Sequence, residues 1–192
     1  MFVALEGTVD QALERRREAR RGALRSLCAQ EARIKQQVTQ IVREADDDDD
    51  WRARLIDDAA GIARILDGTR RIAVLGIKID ADQPAYYVPE YAQLAGYDVV
   101  PVPVYYPDVT EVLGKRVYRT VAAVPGSIDM VNIFRRSRDV AAQIDDILSK
   151  QPKFVWLQLG IRNDEAAERL ARAGIDVVQD RCLMVEMRRR RH

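Results

Sequence analysis

The sequence predicts an α/β fold: a doubly wound, mostly parallel five-stranded sheet with an N-terminal helical extension. Two observations carry this reading. Short apolar stretches at 71–77, 97–102, 129–134 and 153–158, with a weaker fifth at 175–179, alternate with polar segments of helical composition. The stretches are also β-branched and continuous, as a strand must be when both of its faces are buried. Strands that alternate with helices build a parallel sheet, and such sheets hold ligands beyond the carboxyl ends of their strands, near the switch point. Function is therefore expected just after Gly76, Pro103, Phe134 and Gln158.

Taken in order, residues 9–44 read as one helix, with no proline and the single glycine Gly22. Leu13, Leu24, Leu27, Ile34, Val38 and Ile41 form a thin apolar stripe whose later members fit a heptad-like seam. It reads as an exposed amphipathic extension, with a dimerising helix, and so a homodimer, as the alternative. Arg15, Arg16, Arg17, Arg20, Arg21 and Arg25 are interrupted by Glu14 and Glu18 and carry no interleaved aromatics. They read as a solvated face, and no nucleic-acid partner is expected. The five acids Asp46 to Asp50 mark a linker or helix break.

Residues 51–66 read as a second helix, because Trp51, Leu55, Ile56, Ala59, Ile62, Ala63 and Leu66 recur at helical spacing. Asp67-Gly68 stops it. The domains are thus 1–50, helical extension and acidic linker; 51–187, the sheet domain; and 188–192, a basic tail. After the first strand a helix is expected at 84–95: Pro84 suits its first turn, Pro89 kinks it or resets its start, and Gly96 closes it. A short helix or two is expected within 108–124. Later helices are expected at 139–149 and 163–173, the last capped by Asn163-Asp164 and ended by Gly174.

Bulk properties narrow the function. Lys plus Arg number 31 against 30 Asp plus Glu, so net charge argues for no acidic or nucleic-acid partner. No apolar stretch reaches membrane-spanning length, and residues 1–6 make a poor signal peptide. The two cysteines, Cys28 and Cys182, suggest no disulfide framework, so a reducing cytoplasm is expected. The single histidine, His192, argues against histidine-based catalysis, phosphohistidine chemistry and His-rich metal sites.

The first strand opens onto Gly76-Ile77-Lys78-Ile79-Asp80-Ala81-Asp82-Gln83-Pro84, with one glycine where a dinucleotide-binding turn needs three. The loop instead offers a lysine and a helix N-terminus, both suited to an anion.

Residues 71–186 resemble the small, single-domain CoA-binding proteins, which share a Rossmann-like fold with the CoA-binding domain of the succinyl-CoA synthetase α subunit. The resemblance is carried by Ile72-Ala73-Val74-Leu75-Gly76 with Asp82, Pro84 and Tyr86, by Gly96-Tyr97 and Pro101-Val102, and by Val112-Leu113-Gly114 with Tyr118. It continues in Asp129-Met130-Val131-Asn132-Ile133-Phe134-Arg135-Arg136-Ser137. Val155-Trp156-Leu157-Gln158-Leu159-Gly160-Ile161-Arg162-Asn163 and Val178-Gln179-Asp180-Arg181-Cys182 complete it. None of residues 1–50 takes part.

The resemblance implies a groove for CoA or acyl-CoA across the strand ends. Gly76, Ile77, Lys78 and Gln83, with Pro84 and Tyr86 on the following helix, would line the phosphate site. Pro103 and Val104 would meet the adenosine end, and Phe134, Arg135 and Arg136 would flank the nucleotide. Trp156, Gln158 and Asn163 would shape the rest. Arginine supplies forked donors for phosphate oxygens, and Phe and Trp offer flat apolar faces. Two departures stand out: Lys78-Ile79-Asp80-Ala81 replaces a Ser-Pro-Asn-Pro-like loop, and an insertion, Tyr105-Tyr106-Pro107, follows Pro101-Val102-Pro103-Val104.

Each site residue also has a structural reading. Trp156 fills the core equally well, Arg135 and Arg136 point different ways so that at most one meets phosphate, and Cys182 reads as a small buried hydrophobe. The expected function is CoA or acyl-CoA binding without catalysis of its own. The ligase reaction of the synthetase would need a further domain with a phosphorylatable histidine. An NAD(P)-binding redox-type domain, a scaffold that has lost its ligand, and a protein regulated by a mixed disulfide at Cys182 are the alternatives.

Overall fold

The structure, a computed structural model, describes residues 30, 31, 33–38 and 51–190. The chain divides into two units, Met1–Asp49 and Asp50–His192. In the first, residues 30, 31 and 33–38 are helical and the described side chains, Ile34 and Val38 among them, are exposed. The rest of the helix expected at 9–44, the arginine cluster, Cys28, the acids Asp46 to Asp50 and His192 lie outside the described residues.

The second unit is built on β1 (Arg71–Leu75), β2 (Asp98–Val102), β5 (Met130–Ile133), β6 (Phe154–Leu157) and β7 (Asp176–Val178). They lie in the order β2-β1-β5-β6-β7 and every neighbouring pair is parallel. The chain passes from β1 to β2 on one side and resumes with β5 on the other, so the switch point lies between β1 and β5. Alternate residues face opposite layers. Ile72, Val74, Val99, Met130, Trp156 and Val178 pack with α1 (Ala59–Gly68), α2 (Pro84–Leu94) and α5 (Leu183–Arg190). Ala73, Leu75, Val102, Val131, Ile133 and Leu157 pack with α3 (Ile144–Lys150) and α4 (Asp164–Arg172). With both faces covered, the strands are mostly apolar, which is why they are legible as near-continuous runs.

Pro101 sits inside β2 without cost because β2 is an edge strand. Its carbonyl accepts from Tyr118 N at 3.0 Å, so the missing N–H is on the outward side. In α2, Pro89 has no N–H to give to the carbonyl of Ala85, and that carbonyl accepts from Lys78 N at 3.2 Å instead. The helix therefore starts at Pro84 as expected and continues through Pro89.

Four expectations change. Residues 51–66 are not one helix: a 3-10 turn, Trp51–Arg54, gives way to an extended step where Leu55 bridges Val177. Asp58 then caps α1 by accepting from Gly61 N at 2.8 Å. The short helices expected within 108–124 are instead a hairpin, β3 (Glu111–Val112) and β4 (Lys115–Arg116), turned by Leu113 and Gly114, both at positive φ. The helix expected at 139–149 is two 3-10 turns, Ser137–Asp139 and Ala141–Gln143, before α3. Arg188 to Arg190, expected in a basic tail, belong to α5, where Arg189 pairs with Glu186 and Arg190 with Asp67. Among the described residues no helix is long and apolar enough to cross a membrane.

Candidate functional site

Three loops leave the carboxyl ends of β1, β2 and β5 and meet at the switch point. Gly76 N donates to Val102 O at 2.8 Å, and Phe134 N donates to Leu75 O at 2.8 Å. These bonds lock the first residue beyond each strand to its neighbour. Gly76 has φ of 88°, and a Cβ there would strike the carbonyl of Phe134 and lie 3.2 Å from Arg135 Cδ. Only glycine lets the loop pass this close.

Within the loop, the Asp80 carboxylate is turned back on its own backbone. It accepts from Asp82 N and from Gln83 Nε2, each at 3.3 Å. Its charge is thus partly taken up inside the turn. Gln83 stands at the N-cap of α2 with its side chain engaged by Asp80 and makes no side-chain cap bond. Pro84 brings no N–H, and the amides of Gln83 and Tyr86 donate to Asp80 O and Gln83 O, so what the helix offers here is mainly the positive end of its dipole. Ile77 is buried and Pro84 exposed at the first helical position, while Tyr86 is half-buried against the α1–α2–α5 layer.

Lys78 and Arg135 converge on one aromatic ring. Lys78 Nζ lies 4.1 Å from the ring centre of Tyr105 and 5.5 Å from that of Tyr106. The Arg135 guanidinium lies 5.5 Å from the Tyr105 centre, with its nearest carboxylate, Asp139, at 3.7 Å. The neighbouring Arg135 guanidinium, then the charges of Arg136 and Lys78, hold the Tyr105 phenol below its ordinary value. Arg135 Nε is buried with no hydrogen-bond partner. Arg136, its neighbour, points outward and is exposed. Pro103 is buried beneath this cluster's β2 loop and Val104 is exposed at its start; Phe134 is half-buried.

The remaining expected residues are held in the body of the fold. Trp156 is fully buried and its indole N–H donates to Arg181 O at 2.7 Å. Gln158 is buried, donating to Asn132 Oδ1 at 2.9 Å and accepting from Leu183 N at 3.3 Å. Asn163 caps α4 by accepting from Ala166 N at 2.9 Å, and donates to Ser137 O at 2.9 Å. Cys182 is a half-buried free thiol packed on the α1–α2–α5 layer.

Sequence reasoning missed three participants. Tyr105 was visible only as an insertion, although an aromatic three residues beyond the end of β2 was a usable signal. Arg119 clasps the carbonyls of Tyr106, Pro107 and Val109 at 3.1, 2.7 and 2.5 Å and straps the insertion down; no local pattern marks it. Asn132 is buried in β5 with Nδ2 unpartnered, and reads in sequence as one polar residue in an apolar run.

Cavities of about 210, 250 and 310 Å³ lie elsewhere, around Thr69, Gly96 and Tyr97, between α1 and α5, and beside Ala95 and Met187. Those next to Thr69 and Tyr97 open at the amino ends of β1 and β2. Ligands of open parallel sheets sit at the opposite, carboxyl ends, where the two cations are.

Residues 70–188 match the family model described as a CoA binding domain. An uncharacterised protein of Bacillus subtilis (strain 168), YneT, is 34% identical over 126 residues, covering 66% of this chain and 91% of that protein. A solved structure from Thermus thermophilus shares 36% identity at a TM-score of 0.64, over 69% of this chain and 98% of the other. A hypothetical protein from Pyrococcus horikoshii OT3 shares 32% identity at a TM-score of 0.65, over 69% and 92% of the two chains.

Proposed function

The chain belongs to the CoA binding domain family, and from that premise we propose that it binds CoA or an acyl-CoA at the carboxyl ends of β1, β2 and β5, without catalysis of its own. One observation carries the reading: Lys78 and Arg135 are brought from two loops to the switch point, beside the uncapped N-terminus of α2. Two cations beside a helix N-terminus suit a pyrophosphate or a ribose phosphate, and they need no catalytic group. Asp80 does not oppose such an anion in full, since its carboxylate accepts from Asp82 N and Gln83. The half-buried Phe134 and the exposed Val104 supply apolar surface for the adenine or the pantetheine arm. Trp156, Gln158 and Asn163 support the site from beneath, with their polar groups committed to the fold.

The test is calorimetric titration and thermal unfolding of the full-length chain with CoA, acetyl-CoA, NAD, NADP and ATP. A ligand at a hundred times its dissociation constant stabilises by about 2.7 kcal/mol, a readable shift in Tm. Stabilisation by the CoA compounds is the expected result. A response to NAD or NADP with silence toward CoA would replace this reading with a redox-type nucleotide domain.

A further inference from the structure

The Tyr105 ring stands where the two site cations meet. Lys78 Nζ lies 4.1 Å and the Arg135 guanidinium 5.5 Å from its centre, so the ring is the local partner of both charges. Yet the arrangement is only half satisfied, because Arg135 Nε is buried without a hydrogen-bond acceptor and its one carboxylate neighbour is at 3.7 Å. A guanidinium left short of acceptors is costly, and a phosphate would supply them. The backbone after Tyr105 is meanwhile fixed: Arg119 holds the carbonyls of Tyr106, Pro107 and Val109, and Tyr106, the first of them, turns at φ of 64°. Tyr105 itself is 44% exposed, so its side chain has room to swing out while the backbone stays put.

Resting on the strand-end site above, we propose that Tyr105 is a built-in occupant of the phosphate position, held by Lys78 and Arg135 and displaced by side-chain rotation when a polyphosphate ligand enters. The ring is a weak surrogate anion. It meets the ammonium and the guanidinium through cation–π contacts, and each cation prefers a phosphate oxygen. The apparent affinity is then the intrinsic affinity reduced by the fraction of molecules with Tyr105 swung away. The device also sets a specificity rule: ligands with several negative charges displace the ring, and singly charged ones do not. Rotation of an exposed side chain is fast compared with ligand encounter, so the effect appears in the equilibrium constant and in the on-rate together.

The experiment titrates the full-length chain with CoA and, separately, with inorganic pyrophosphate, comparing wild type, Tyr105→Ala and Tyr105→Phe. Two exposed cation–π contacts of ordinary strength predict a gain of about tenfold in affinity for Tyr105→Ala with either probe. Tyr105→Phe keeps the ring against both cations and loses only the hydroxyl, so its gain is smaller. The wild type shows a tyrosine ultraviolet difference spectrum on adding pyrophosphate, and Tyr105→Phe loses it. Weaker or unchanged binding of pyrophosphate by Tyr105→Ala, with the variant folded by its unfolding curve, overturns the proposal; weaker binding would make the ring a platform for the ligand. Tighter pyrophosphate binding with no CoA binding by either chain keeps the displaced ring and removes the CoA reading. CoA binding that is insensitive to Tyr105 does the reverse, and silence toward both probes in both chains removes both.

Discussion

The backbone N–H of Lys78 donates to the carbonyl of Ala85 at 3.2 Å, the acceptor that Pro89 leaves free one turn further along α2. A residue that normally breaks a helix here provides an anchor for a loop. Pro89→Ala gives Ala85 an intrahelical partner and puts it in competition with Lys78. The variant should keep or slightly raise its stability while CoA affinity falls by about threefold, the worth of part of one hydrogen bond. Equal affinity in the two chains would show that the anchor does not position Lys78.

Gly76→Ala tests the close passage of the β1 and β5 loops. The substitution combines a strained φ with a collision against the Phe134 carbonyl, a backbone atom that cannot turn aside. A loss of about 2–4 kcal/mol in denaturant unfolding is expected, together with loss of CoA binding. Wild-type stability would mean that the loop has slack.

Lys78→Ala and Arg135→Ala separate charge from fold. Each should weaken CoA binding by about tenfold or more in calorimetry, since a hydrogen bond to a charged group carries more than a neutral one. Arg136→Ala, at the exposed neighbour, should change affinity little. Equal effects at Arg135 and Arg136 would contradict the inward and outward division of the pair.

Trp156→Phe distinguishes core from pocket. The indole N–H is committed to Arg181 O in a fully buried site. The variant should lose about 2 kcal/mol of stability through a small void and an unpartnered carbonyl, with CoA affinity unchanged. A drop in affinity without a drop in stability would place the ring against the ligand.

Asp129 gives the acid limb of stability a named group. Burial pushes its carboxyl up, but the Lys153 ammonium at 2.9 Å and the amides of Arg71 and Arg70, each at 3.0 Å, outweigh it and leave it below the ordinary 3.8. A carboxyl lowered by folding stabilises fully above its unfolded value, and that contribution is lost as pH falls through the folded one. Asp129→Asn should therefore unfold at lower temperature near neutrality, and its Tm should fall less steeply than wild type between about pH 5 and pH 2. Parallel curves would assign the acid limb to other groups, such as Asp58 and Asp164, which folding also lowers.

The sheet was legible because its signal is local: Ile72 to Leu75 and Phe154 to Leu157 are short apolar runs rich in β-branched and aromatic residues, the pattern of strands buried on both faces. The same rule made Lys78 and Arg135 visible, since each follows a strand end. Local signals failed where a tertiary bond overrides them. Leu55 and Ile56 fit a helical stripe, but pairing with Val177 and capping by Asp58 break that helix. Leu113-Gly114 lacks the Asn-Gly that announces a hairpin, and Leu183 to Arg190 ends in arginines that resemble a tail. Trp156 was ambiguous for a physical reason: a strand residue near the sheet's ligand-binding end faces either layer or groove according to a register that sequence does not reveal. Tyr105 has meaning only through two cations that the fold brings to it from distant loops.

The step at Leu55 and Ile56 has a further consequence. Val177 O accepts from Ile56 N at 2.8 Å on the side of β7 that no strand covers. The family match begins at residue 70, after this step. A chain trimmed to that boundary would keep every strand but lose α1 from the layer over Ile72, Val74 and Trp156, and would also bare the outer backbone groups of β7. Such an edge recruits the edge of another molecule. The two residues thus guard the outer edge of the sheet.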